Sequence, residues 1–195
     1  MNDTAHLEDF TNAVIAIVTT LMILDIKAPT NATLNSLMYS SNHILTYIYS
    51  FILISMYWIN HSRIFRHSPN VKINLKILWA NNLFLLLITF IPFATSWLAR
   101  HIMNRVPELF YASLMLCIDL SFYLLLHEVL LQNPQIQKLP KAKVFLLKLH
   151  INLFINILAI IVGYSYPLST IFISLCAVII WIVPDKSIYD TMINK

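Results

Sequence analysis

Hydrophobic and polar positions alternate in long blocks along the chain. A transmembrane helix needs about 20 mainly apolar residues, and six segments approach that length: about 10–28, 42–62, 76–98, 108–131, 144–163 and 167–184. Short polar stretches separate them, and only a tight turn at Gly163 and Pro167 separates the last two. The pattern predicts an all-α, polytopic membrane protein in which residues 1–195 form a single six-helix transmembrane domain.

The composition indicates a membrane protein, and the absence of catalytic motifs reduces the number of possible function classes. With 58% hydrophobic residues, 11% charged residues and a mean hydropathy of +0.71, the chain has too little polar surface to cover a soluble globule. No nucleophile elbow, phosphate-binding glycine loop or carboxylate pair lies in a loop large enough to build an active site. We therefore predict neither an enzyme nor a cofactor, which leaves a channel, a carrier or a structural membrane protein.

The basic residues predict the orientation in the membrane. One side holds the loop between helices 2 and 3 and the loop between helices 4 and 5, with Arg63, Arg66, Lys72, Lys76, Lys138, Lys141, Lys143 and Lys148. The opposite side holds only Lys27, Arg100 and Arg105. Because cytoplasmic loops of membrane proteins are enriched in Lys and Arg, both termini are expected in the cytoplasm of a multi-pass cell-membrane protein. The net charge of +4 therefore requires no nucleic-acid partner.

Two kinds of polar residue inside the apolar segments are candidates for function. The seven histidines lack the spacing of a metal site, so no metal is predicted. Asp119 lies within "LMLCIDLSFYLLL", where an ionised carboxylate costs about 2.5–3.5 kcal/mol. It is either a functional group, such as the proton site of a carrier, or a carboxyl that stays protonated or pairs with a polar residue of a neighbouring helix.

Polar residues also recur at similar depth near the predicted cytoplasmic ends of helices 1, 2 and 3: Asn12, Asn60, His61, Asn81 and Asn82. Lipid offers these groups no hydrogen-bond partner. We predict a hydrogen-bonded cluster that joins the three helices. Separate interfacial sites facing lipid headgroups are the alternative.

Several short motifs, taken in order, resemble the transmembrane protein 175 family of potassium channels. They are "FTN" at residues 10–12, "YWINHSRIFR" at 57–66, "LWANN" at 78–82, "FIPFATSWL" at 90–98 and "WIVPD" at 181–185. Each motif is weak alone, but their order and their placement at helix ends make the set fairly specific. The family's Arg-x-x-x-Phe-Ser-Asp motif is changed here to His6, Phe10, Thr11 and Asn12, which removes a charge pair.

The resemblance implies a homotetramer in which helix 1 of each copy lines a central pore with a hydrophobic constriction. Ile17 matches the constriction position, and Leu21 and Leu24 fall within about 60° of it around a helix, with Thr20 at the flank. Without the resemblance, this apolar stripe would be read as packing against neighbouring helices. The polar cluster matched to the family's motifs comprises His6, Thr11, Asn12, Asn60, His61, Trp79 and Asn81.

The sequence thus predicts a passive, potassium-selective cation channel whose partners are the potassium ion, the lipid bilayer and three further copies of the chain. A proton-coupled carrier that uses Asp119 and a non-conducting structural protein remain the alternatives.

Overall fold

The computed structural model describes residues 3–29, 31–66, 68, 71–137 and 139–182, and every regular element in these ranges is a helix. The elements are α1 (Asp3–Leu24), α2 (Leu34–Tyr39), α3 (Ser41–Arg66), α4 (Leu75–Thr89), α5 (Ile91–Arg100), α6 (Arg105–Gln132), α7 (Pro134–Gln137), α8 (Pro140–Ser165) and α9 (Ser169–Ile182). The six apolar segments of the sequence overlap α1, α3, the pair α4 and α5, α6, α8 and α9.

Several helix boundaries in the structure differ from the predicted ones, for local chemical reasons. The segment predicted as one helix over 76–98 is two helices that break at Phe90, because Pro92 has no N–H and its ring clashes with the carbonyl of residue 88. Gly163 lies in the last turn of α8 instead of in the connecting turn. A Cβ at Gly163 would collide with Thr170 Oγ1, so glycine is needed where α8 and α9 approach each other.

Within the described residues, four helical stretches are long and apolar enough to cross a membrane: Thr4–Leu24, Leu75–Arg100, Arg105–Gln132 and Ala142–Ser165. The stretch Ser169–Trp181 is apolar but shorter. Helix α3 has 26 residues but carries many polar side chains, several of them buried. The apolar helices make the chain a multi-pass membrane protein.

The core is organised around α6. This helix packs against α4, α5, α8 and α9, while α1 packs against α3, α4 and α5. Aromatic rings fill the space between α3, α4 and α6: the ring centroids of Phe84 and Phe122 lie 5.4 Å apart, and Tyr57 meets both rings edge-on at 6.0 and 6.2 Å. Helix α1 therefore lies at one side of a well-packed bundle.

Candidate channel-lining face and buried polar clusters

Helix α1 has one face inside the bundle and one face outside it. Ile15, Val18 and Met22 are 5%, 4% and 3% exposed, whereas Ile17, Leu21 and Leu24 are 58%, 51% and 75% exposed. The apolar stripe singled out in the sequence therefore does not pack within its own chain. The packing interpretation applies to the opposite face of the helix.

Thr20 lies exposed at the flank of this stripe. Its hydroxyl donates to the backbone carbonyls of Ala16 and Ile17, at 3.0 and 2.9 Å. This local bond satisfies the hydroxyl hydrogen inside the helix, as is common for threonine in membrane helices. The oxygen keeps lone pairs that can accept a hydrogen bond from water.

A buried cluster joins α1, α3 and α4 through Thr11, His61 and Asn81, which are at most 1% exposed. His61 Nε2 donates to Asn81 Oδ1 at 2.8 Å, and Asn81 Nδ2 donates to Thr11 Oγ1 at 3.0 Å. The imidazole also stacks on Phe84, with ring centroids 5.9 Å apart and planes at 9°. Asn81 thus bridges the two other helices with both atoms of its amide.

The remaining residues of the predicted cluster lie around this bridge and do not join it. Asn12 does not bond to Asn81 or His61; its Oδ1 accepts from Trp58 Nε1 at 2.8 Å. Adjacent helix residues point about 100° apart, so Thr11 takes the inward position and Asn12 faces outward. Asn60 is buried but accepts from Arg63, one turn along its own helix, at 3.4 Å. His6, Trp79 and Asn82 are exposed.

Asp119 is fully buried and paired, as one of its two interpretations required. Its Oδ1 accepts from the Tyr57 hydroxyl at 2.7 Å, and its Oδ2 accepts from the side-chain amides of Asn152 and Asn156 at 2.7 and 2.5 Å. The carboxyl therefore ties α6 to α3 and α8. These three partners were not predicted from the sequence, although two asparagines four residues apart in an apolar segment share one helix face and were a usable signal.

A third buried network links α3, α5 and α6. The Thr95 hydroxyl donates to Ser50 Oγ at 2.8 Å, and Ser50 Oγ lies 2.8 Å from the Tyr111 hydroxyl. Single hydroxyl residues in apolar segments gave no pattern from which this network was predictable. Among the residues that the structure describes, no group of three His, Cys, Asp or Glu side chains is placed to hold a metal ion.

Comparisons with known proteins find a family and relatives that are similar to this chain. The family model described as the endosomal/lysosomal potassium channel TMEM175 matches residues 6–92, which contain α1, α3 and the bridge through Asn81. A potassium channel of Chryseobacterium sp. (strain P1-3) is 30% identical over 187 residues, covering 96% of each chain. A potassium channel of Chamaesiphon minutus is 34% identical over 130 residues, or 62% of this chain and 63% of that one.

The fold is similar as well. The crystal structure of a homologue of the lysosomal potassium-selective channel TMEM175 from Chamaesiphon minutus aligns with a TM-score of 0.80 at 25% identity, over 93% of this chain and 97% of that one. Sequence similarity and fold similarity therefore both extend over nearly the whole length. The chain belongs to the TMEM175 family of potassium channels.

Proposed function

We propose that the protein is a passive, potassium-selective channel of the cell membrane, formed by four copies whose α1 helices surround a central pore. The observation that carries the proposal is the exposed stripe of Ile17, Leu21 and Leu24, on a helix whose other face is buried in the bundle. The names of its relatives, which are potassium channels, supply the ion.

Exposed apolar residues on a membrane helix can also face lipid. The other residues on the exposed face of α1 therefore decide between lipid and a pore axis. Counting 100° per residue, Phe10 and Ala13 fall within about 40° of Ile17, and His6 falls within about 20°. All three are exposed. A small residue lets neighbouring helices approach closely, and a polar residue near the helix start suits a water-filled entrance better than hydrocarbon. This face therefore suits an axis between copies.

The same geometry disfavours the carrier. Asp119, the residue on which a proton-coupled carrier would rely, lies on α6, is fully buried, and bonds to side chains of α3 and α8. Its hydrogen bonds fit a group that holds helices together. The carrier and the non-conducting structural protein nevertheless predict different fluxes from the channel, so one assay separates all three.

Purified protein in liposomes is expected to conduct potassium passively. Flux should follow the imposed potential, should not saturate at low ion concentration, and should proceed without a proton gradient. A fluorescent potential dye with potassium inside and sodium or an impermeant cation outside measures it. Proton-coupled, saturable uptake would instead establish the carrier, and absence of flux in liposomes shown to contain the tetramer would establish a structural protein.

We further propose six spans, formed by α1, α3, α4 with α5, α6, α8 and α9, with both termini in the cytoplasm. This topology places the start of α1, the end of α3 and the start of α4 on one side, which fits the bridge from Thr11 to Asn81 and His61. The excess of Lys and Arg in the loops on that side supports the orientation.

A reporter enzyme fused after Lys195 is expected to be active only in its cytoplasmic form. The matched control is the same reporter inserted after Met103, in the loop between α5 and α6 on the opposite side, which should show the reverse activity. Extracytoplasmic activity of the C-terminal fusion would overturn the topology.

A further inference from the structure

A small cavity of about 20 Å³ lies inside the bundle, and none of its lining residues belongs to α1. Residues of α3, α6, α8 and α9 line it, including Tyr49, Tyr57, Asp119, Asn152 and Ser174. A space of this size holds one water molecule or one dehydrated ion. The proposed channel function makes no use of it.

The hydrogen-bond donors around Asp119 at this cavity favour the ionised form of its carboxyl group. Three donors converge on its two oxygens, one from Tyr57 and two from the amides of Asn152 and Asn156. All three donors are neutral side chains, so none of them balances a negative charge on the carboxyl group. A buried charge without a counter-charge is strongly destabilising, so the site favours a cation beside the carboxylate.

Three further oxygens at the cavity wall are buried. Asn152 Oδ1 has no hydrogen-bond partner, and the Tyr49 hydroxyl and Ser174 Oγ have none except each other. Their residues are 4%, 8% and 3% exposed. Leaving such a group unpaired costs about 1–3 kcal/mol. Asn152 Oδ1 can only accept, and the two hydroxyls have at most one hydrogen bond between them, so free oxygen lone pairs remain at the cavity. They suit a ligand that accepts oxygen lone pairs.

From the carboxylate, the oxygen lone pairs beside it and the cavity volume, we propose that each subunit binds one dehydrated monovalent cation at Asp119, with Asn152 Oδ1, Ser174 Oγ and the Tyr49 hydroxyl as further ligands. Hard cations prefer such oxygen ligands. A single carboxylate balances one positive charge, and it attracts the smaller sodium ion more strongly than potassium because Coulomb attraction rises as the charges approach. The cation stabilises the helix bundle from inside the subunit and is separate from ions in the pore. This inference does not rest on the proposed channel function.

The test is the thermal stability of the purified full-length protein in sodium, potassium or N-methylglucamine chloride at equal ionic strength. We expect the melting temperature to rise with sodium concentration to a plateau, and to rise less with potassium. Because ions in a pore can also stabilise a channel, the sodium effect is repeated in Ile17→Asn, where it should persist. A melting temperature that is the same in all three salts would mean that the cavity holds water, and would overturn the proposal.

Two serine variants provide the matched comparison. Ser174→Ala removes one proposed ligand and should raise the sodium concentration for half the effect by about fivefold to tenfold. Ser121→Ala removes an equally buried hydroxyl that already bonds to the carbonyl of Ile118, and should leave the sodium dependence unchanged. Asp119→Asn should abolish it. Equal sodium dependence in Ser174→Ala and Ser121→Ala would contradict the proposed ligand set.

Discussion

Replacing Ile17 by asparagine or alanine is expected to raise the conductance and to lower the permeability of potassium relative to sodium. In the proposed tetramer, four isoleucine side chains around the axis would offer a passing cation no oxygen, so the ion would have to lose part of its water or meet a dewetted pore. Sodium holds its water more tightly than potassium, so a ring that forces partial dehydration penalises sodium more. Such selectivity needs no close coordination and is weaker than that of a carbonyl filter.

The size of the effect follows from the difference in dehydration cost. If the isoleucine ring adds about 1 kcal/mol to the barrier for sodium relative to potassium, its removal lowers the permeability ratio about fivefold. Reversal potentials under bi-ionic conditions measure this ratio. Ile15→Ala is the control, because Ile15 lies about 160° away around the helix and is only 5% exposed; it should reduce stability and leave the ratio unchanged. Equal ratios in wild type and Ile17→Asn would refute the proposed constriction.

The sequence is enough to predict which residues share a face of a helix. It is not enough to predict which other helix packs against that face. The positions of Ile15 and Ile17 follow from a 100° period, and the structure buries one and exposes the other. Pro92 alone was enough to predict the break between α4 and α5. The hydropathy pattern did not show this break, because the residues on both sides of it are apolar. Periodicity is thus informative about which residues share a face and uninformative about what covers that face.

The partners of buried polar groups depend on how helices cross, which no single helix encodes. Asn12 and Thr11 are adjacent, and either could reach Asn81 until the rotation of α1 is fixed. Asp119 was recognisable as a costly residue, whereas its pairing with Tyr57 requires α3 and α6 to lie side by side. Assembly into the proposed tetramer is harder still to predict, because a single chain shows only the exposed face that such an assembly would use.

The largest loss of stability is expected from Asn81→Leu. Asn81 uses its carbonyl oxygen to accept from His61 and its amide nitrogen to donate to Thr11, so one substitution breaks the connections to both α3 and α1. Leucine has a similar volume, so the change tests hydrogen bonding more than packing. It leaves two polar groups buried and unpaired, in a region where lipid cannot satisfy them.

Hydrogen bonds between membrane helices are worth about 0.6 to 2 kcal/mol each, so the loss of both bonds is expected to lower the free energy of unfolding by about 1–4 kcal/mol. Equilibrium unfolding in mixed micelles measures it. Asn82→Leu changes the exposed neighbouring asparagine and should have little effect, and Asn12→Leu should fall between the two because it loses only the bond to Trp58. Since the bridge also fixes the rotation of α1, Asn81→Leu should alter conductance as well. Equal stability of Asn81→Leu and Asn82→Leu would mean that the bridge does not hold α1 against α3 and α4.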